Sequence, residues 1–310
     1  MSFVPLTATE REDMLRTIGV AGTDDLFDVI PNPLRYPEID IGPELTELEA
    51  TRTLEALADA NHPPNGTPFF LGGGAYRHFV PAAVNALVSR GEFATSYTPY
   101  QPEVSQGTLQ ATFEFQSMVC ALTGLDVSNS SVYDGASAVA EAALMAMRLT
   151  GRGRIVVSGG VHPHYREVLQ SYVQAREADI VTTRIGLSSN GMAASVSPLS
   201  LTLPREGGGD PRVGDQRIVE DDLVGQIDGE TACCIVSQPT FFGEIRDLAR
   251  IVAAAHERGA LVIEVYNPTS LGLLRAPGAW GADIAVGEGQ PLGLSLSYGG
   301  PYVGLMSCRQ

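Results

Sequence analysis

From about Asn129 onward, short apolar runs alternate with alanine-rich or amphipathic stretches, and this alternation limits the possible folds more than any other feature. The runs Ile155–Ser158, Ile180–Ile185, Ala232–Ser237, Leu261–Val265, Ile284–Gly287 and Tyr302–Ser307 are short and rich in β-branched residues, so they are predicted as strands. Helices are predicted between them. Ala136 to Arg148 is apolar nearly all round, which marks a buried helix. Asp247 to Arg258 carries Leu248, Ile251, Val252 and Ala255 on one face, with Gly259 to close it. Strands that alternate with helices imply an α/β domain with a mostly parallel sheet covered on both faces. The rhythm breaks at residues 197–217, where Gly207-Gly208-Gly209-Asp210-Pro211 predicts a flexible insert. No internal repeat is present.

The N-terminal part reads differently. Thr7-Ala8-Thr9-Glu10 matches a capping box, and Gly19 is placed to end that helix. Asp24 to Pro43, rich in proline and acids, is predicted as an extended arm. Pro43 is predicted to open a second helix, with Leu45, Leu48, Leu54 and Leu57 on one face and Asn61 near its end. Residues 1–75 are therefore expected to form a helical arm and loop, and residues 76–310 the α/β domain. Such an arm reads either as a wrap around a neighbouring subunit or as a packed surface helix.

Charge excludes some functions. All 20 Lys+Arg residues are arginine, against 36 Asp+Glu, for a net charge of −16. That balance argues against nucleic-acid and anionic-membrane partners, both of which need clustered cations. No apolar run approaches the roughly 18 residues of a membrane span, and Met1 to Val20 has no signal-peptide pattern. The four cysteines show no metal-binding spacing. Cys233 and Cys234 lie in an apolar run, and Cys120 lies in a helix where a thiolate is disfavoured. A reduced cytoplasmic setting is expected.

Three motifs carry candidate chemistry. Tyr133-Asp134-Gly135-Ala136-Ser137-Ala138 leads into the buried helix, and a helix N-terminus presents free N–H groups that suit phosphate. Taken alone, it reads better as a tight turn. Thr95 to Gly107 (TSYTPYQPEVSQG) is a polar, aromatic loop punctuated by proline, either functional or a rigid connector. Gly287 to Pro301 is a glycine-rich loop between the last two strands. Arg77 and His78 adjoin the Gly72-Gly73-Gly74 turn. Arg77 reads equally as a ligand of an anion or as the partner of a nearby acid. His162-Pro163-His164 reads as packing, because no carboxylate or thiol joins it at ligand spacing.

Together with Gly72 to His78 and Gln238-Pro239-Thr240-Phe241-Phe242-Gly243, these motifs make the chain resemble the glycine dehydrogenase (decarboxylating) P-protein family. The resemblance is strongest to subunit 1, the alpha subunit of the two-chain form. It covers essentially the whole chain, and the run TPYQPEVSQG is its most specific part. The resemblance implies the fold-type I, aminotransferase-like architecture of pyridoxal phosphate (PLP) enzymes. In the family's catalytic chain a lysine in the last glycine-rich loop holds PLP. The matching position here is Gln290, and the chain contains no lysine. The acid near the pyridine-pairing position is Glu264, followed by Tyr266 and Asn267, a second departure.

The resemblance therefore implies a degenerate site around Gly135, Ala136 and Ser137, no metal, and no cofactor held covalently. PLP is expected in a partner beta subunit, in an α2β2 heterotetramer that acts on glycine and the lipoylated H protein. Tyr97, Tyr100, Glu103, Gln106, Arg77 and His78 are the candidates for residues that complete the partner's pocket. A purely structural role in stabilising the beta subunit is the alternative. Family alpha subunits also continue into a small C-terminal domain, which is expected to be absent here.

Overall fold

A computed structural model describes residues 6–61, 68, 73–176, 178–189, 192–195, 216–220 and 223–310. The chain divides into two compact units, Met1–Pro68 and Phe69–Gln310.

The first unit contains helices α1 (Ala8–Ile18) and α2 (Glu47–Asp59). Each starts at a complete capping box. In α1 the Thr7 hydroxyl accepts from the Glu10 N–H at 3.3 Å, and the Glu10 carboxylate accepts from the Thr7 N–H at 2.8 Å. Thr46 and Glu49 repeat the arrangement at α2. The second helix thus begins at Glu47 rather than at Pro43, because the box at Thr46 satisfies the first free N–H groups there. The segment read as an extended arm contains two 3-10 turns, Thr23–Phe27 and Asn32–Leu34. Polar ties explain them. The Arg35 guanidinium binds the Asp24 carbonyl and the Asp28 carboxylate, and the Tyr36 hydroxyl donates to Asp24.

The second unit opens with α3 (Ala82–Val88), α4 (Gly91–Ala94), α5 (Gln106–Thr123), β1 (Val127–Ser128), α6 (Gly135–Thr150), β2 (Arg154–Val157), α7 (Pro163–Val173) and β3 (Asp179–Thr182). It continues with β4 (Ile185–Ser189), β5 (Met192–Ser195), β6 (Gln216–Glu220), α8 (Leu223–Gln226), β7 (Thr231–Gln238) and α9 (Ala249–Glu257). The last elements are β8 (Leu261–Tyr266), α10 (Pro277–Trp280), β9 (Ile284–Glu288) and β10 (Gly304–Cys308). Seven strands form one sheet in the order β1-β10-β9-β8-β7-β2-β3. It is parallel from β9 through β3, with β10 and β1 added antiparallel at one edge.

The run read as one strand, Ile180–Ile185, is two. β3 ends at Thr182, and Ile185 starts β4 in a separate antiparallel sheet ordered β5-β4-β6. Of the expected flexible insert, Gln216 and Arg217 are strand residues of β6 paired with β4, and residues 197–215 lie outside the described residues.

Side chains alternate across the main sheet and sort into cores on its two faces. Ile155, Val157, Cys233, Ile235, Ile263, Val265, Ile284 and Val286 pack against α6 and α7. On the other face Val156, Cys234, Val236 and Val262 meet Leu248, Val252 and Ala255 from α9 and its lead-in, while Ala285 and Tyr266 meet Val119 of α5. Each buried Val or Ile contributes about 1.5–3 kcal/mol. α6 can lie this close to the sheet because its buried positions are alanine: Ala138, Ala140, Ala142, Ala143 and Ala146 are fully inaccessible. The adjacent cysteines point to opposite faces, and burial raises the Cys233 thiol to about 12 and the Cys234 thiol further. Among the described residues no helix is long and apolar enough to cross a membrane.

Candidate active-site cleft

Strands β2, β7, β8 and β9 end together, and the residues after them surround a cleft of about 260 Å³. Open parallel sheets place ligands beyond the carboxyl ends of their strands. Gly74, Tyr76, His162, Tyr165, Thr240, Phe241, Asn267 and Glu288 are among the lining residues.

The aromatic wall is built on His162. This residue caps α7: its Nδ1 accepts from the His164 N–H at 3.1 Å, and Pro163 takes the first helical position. The other ring nitrogen lies 2.8 Å from the Gly73 carbonyl. Both ring nitrogens are thereby spent on backbone, as the packing interpretation of His162-Pro163-His164 required. Burial holds the His162 pKa below its ordinary value. The ring stacks on Tyr165 with centroids 5.0 Å apart and meets the edge of Phe241 at 4.7 Å. Glycine is required at position 74, where φ is +93° and an added Cβ would sit 2.5 Å from the His162 ring.

The segment after β7 adds Pro239, Thr240 and Gly243 to the lining beside Phe241. Gln238 is buried and clamps Arg246 by two bonds: its Nε2 donates to the Arg246 carbonyl at 2.7 Å, and its Oε1 accepts from the Arg246 N–H at 3.0 Å. The Phe241 N–H donates to the Gly160 carbonyl at 2.7 Å, tying this turn to the one between β2 and α7.

The floor is the turn after β9. Gln290 is 1% exposed, and its Nε2 donates to the carbonyls of Tyr76 at 3.2 Å and Leu294 at 2.9 Å. Next to it, Glu288 joins the N-terminus of α6 to this turn. Its carboxylate accepts from the N–H groups of Gly135, Val303 and Gln290. Burial raises the Glu288 pKa, and these three bonds oppose the rise.

The Glu288 carboxylate thus links Gly135, at the start of α6, to Gln290, while Ala136 and Ser137 follow Gly135 in the helix and are not among the cleft's lining residues. Tyr76, from the segment that also holds Arg77 and His78, joins them through Gln290. Arg77 is exposed, and His78 is half-buried with Nε2 buried and unpartnered. Tyr97, Tyr100, Glu103 and Gln106 do not line the cleft. Tyr97 is 88% exposed and Tyr100 81%, while Glu103 is exposed in the same loop and Gln106 is the first residue of α5. Sequence reasoning missed Glu288, Tyr165, Thr240 and Phe241 as cleft residues. Glu288 left one signal, a lone acid at the end of an apolar strand inside a quoted motif.

The groups present do not fit PLP. No amine is available for an imine, since the chain has no lysine and Gln290 is a neutral amide. Glu264, the acid nearest the expected pyridine partner, is not among the cleft's lining residues. It lies on strand β8 with zero exposure, both oxygens unpartnered, and a pKa raised by burial to about 8.

The architecture is that of the large domain of fold-type I PLP-dependent enzymes. The glycine cleavage system P-protein family model matches residues 1–310, so the chain belongs to that family. A protein of Methylocella silvestris named probable glycine dehydrogenase (decarboxylating) subunit 1 is 46% identical, and its match covers 100% of this chain and 63% of the relative. One of the same name from Maricaulis maris is 45% identical with the same coverages. The chain thus spans a little under two thirds of these relatives' length. A crystal structure of glycine decarboxylase (P-protein) of the glycine cleavage system, in inhibitor-bound form, superposes with a TM-score of 0.79 at 42% identity, over 100% of this chain and 63% of that one. The sphingosine-1-phosphate lyase of Burkholderia pseudomallei superposes at 0.56 with 12% identity, over 90% of this chain and 63% of that one, a likeness of fold alone.

Proposed function

We propose that this chain is the non-PLP-bearing alpha subunit of a glycine decarboxylase and works in the cytoplasm as part of an α2β2 assembly. In this reading the beta subunit carries PLP, which serves as the electron sink when glycine loses its carboxylate. The aminomethyl group then passes to the lipoyl arm of H protein. Gln290 carries the reading: a buried amide, bonded to two carbonyls, stands where the catalytic chains of the family hold their lysine. The name "subunit 1", borne by the similar proteins from Methylocella silvestris and Maricaulis maris, supports the division of labour. The outward loop of Tyr97, Tyr100, Glu103 and Gln106 supports it too. Exposed tyrosines combine large contact area with a polar tip, and interfaces favour them. This loop, with Arg77 and His78 from the neighbouring segment, is assigned to the wall of the partner's pocket.

The test compares visible absorbance and glycine decarboxylation for this chain, for its beta partner and for their mixture. A colourless chain and a mixture far more active than beta alone are the expected results. A chain that turns yellow and active by itself overturns the reading. Tyr97→Phe and Glu103→Gln then probe the loop. Each is expected to lower turnover of the complex by about two- to tenfold, the loss of one hydrogen bond, without weakening assembly. Weakened assembly with unchanged turnover would leave the chain a purely structural partner.

A further inference from the structure

A helix N-terminus that faces a cleft is ordinarily an anion site, and α6 begins with the small residues such a site needs. Here the chain has filled that position itself. The Gly135 N–H donates to Glu288 Oε2 at 2.9 Å, and the Ser137 N–H donates to Asp134 Oδ1 at 2.7 Å. The open side of Gly135 is occupied as well. A Cβ built there would lie 2.5 Å from the Tyr165 hydroxyl and 3.2 Å from the Glu288 Cβ. Glu288 is moreover held from three directions, because its Oε1 also accepts from Val303 at 3.0 Å and Gln290 at 3.1 Å. Displacing it would strip acceptors from three N–H groups and press two anions together in a partly desolvated site.

We infer that Glu288 is a built-in anion that caps α6 and closes this cleft to phosphate-bearing ligands, PLP included. The carboxylate takes the place that a ligand phosphate would take at the α6 N-terminus. Losing the lysine removes the covalent bond to the cofactor, and Glu288 removes the phosphate cradle. The inference rests on the geometry of this chain alone. It would stand even if the partner-subunit reading failed.

The experiment uses the isotope-labelled chain and follows the Gly135 amide resonance while inorganic phosphate, then PLP, is titrated. Calorimetry gives the affinities. In the wild type the Gly135 resonance is expected to stay in place through millimolar phosphate. In Glu288→Ala it should move, with at least tenfold tighter binding of both probes. Glu288→Gln removes the charge while keeping most of the packing. It is expected to shift affinity in the same direction, and it decides the matter if the alanine variant does not fold. A wild-type Gly135 resonance that responds to phosphate overturns the inference. So does a folded Glu288→Ala or Glu288→Gln that binds neither probe more tightly than the wild type.

Discussion

Helices α2 and α6 teach opposite lessons. α2 has a full capping box at Thr46 and Glu49 and mostly good helix formers, yet none of its residues is buried. Its leucines Leu48, Leu54 and Leu57 remain about 60% exposed. α6 has no capping box; Asp134 accepts from the Ser137 N–H and the distant Glu288 from the Gly135 N–H, and most of its residues are buried. Local chemistry is thus enough to start and stop a helix, while its stability comes from the face it buries. In α6 that face is alanine, which buries little area per residue but lets the helix approach the sheet closely.

The comparison can be sharpened where burial is deepest. Glu264 is an acid with a folded-state pKa of about 8 against an ordinary value of 4.5. The folded state therefore binds the proton more tightly than the unfolded chain. Its contribution is intact below about pH 4.5 and is lost as the pH rises to about 8, by at most about 5 kcal/mol. Glu264→Gln should abolish that loss. Urea unfolding at about pH 9 is expected to show the variant several kcal/mol more stable than the wild type, and at about pH 5 within about 1 kcal/mol of it. Equal stabilities at the higher pH would mean that Glu264 finds a partner.

A smaller effect is expected in α6. Ala143→Leu adds volume where there is none, and should cost about 1–3 kcal/mol in the same unfolding assay. An unchanged midpoint would show that the helix can move away from the sheet, and the contrast with α2 would weaken. The smallest effect belongs to α2 itself. Thr46→Ala should remove about 1 kcal/mol of local helix stability, read as faster amide exchange in the first turn, with the main unfolding transition unmoved. A shift of the main transition would show that α2 is coupled to the core.

Much of this was legible in the sequence. The strands β2, β7, β8 and β9 were found to within one residue at most ends, because parallel strands buried on both faces are continuous apolar runs. The capping box at Thr7 and the buried α6 were equally plain. Failures came where pairing partners decide. A break between Thr182 and Ile185 splits the run between two sheets, and its local signal, the polar Thr183-Arg184, does not say which sheet each half joins. Pro43 suggested a helix start, but Thr46 and Glu49 satisfied the N–H groups first. Around the cleft, Gly135 and Gln290 were named from their motifs, whereas motif membership alone did not single out Glu288 or Phe241. Glu288, Tyr165 and Phe241 were missed because their roles arise from contacts between distant segments: Glu288 bonds to Gly135 across 153 positions of sequence.

The sequence alone determined that this chain is an α/β protein with no amine to hold a carbonyl cofactor. Composition and hydrophobic period are local quantities, and a residue type that is missing cannot be restored by folding. Only the tertiary structure decided that the α6 N-terminus is already filled. That outcome depends on where the end of β9 lands against a helix that began far earlier in the chain. Strand order places them side by side, and no periodicity in the sequence records that order.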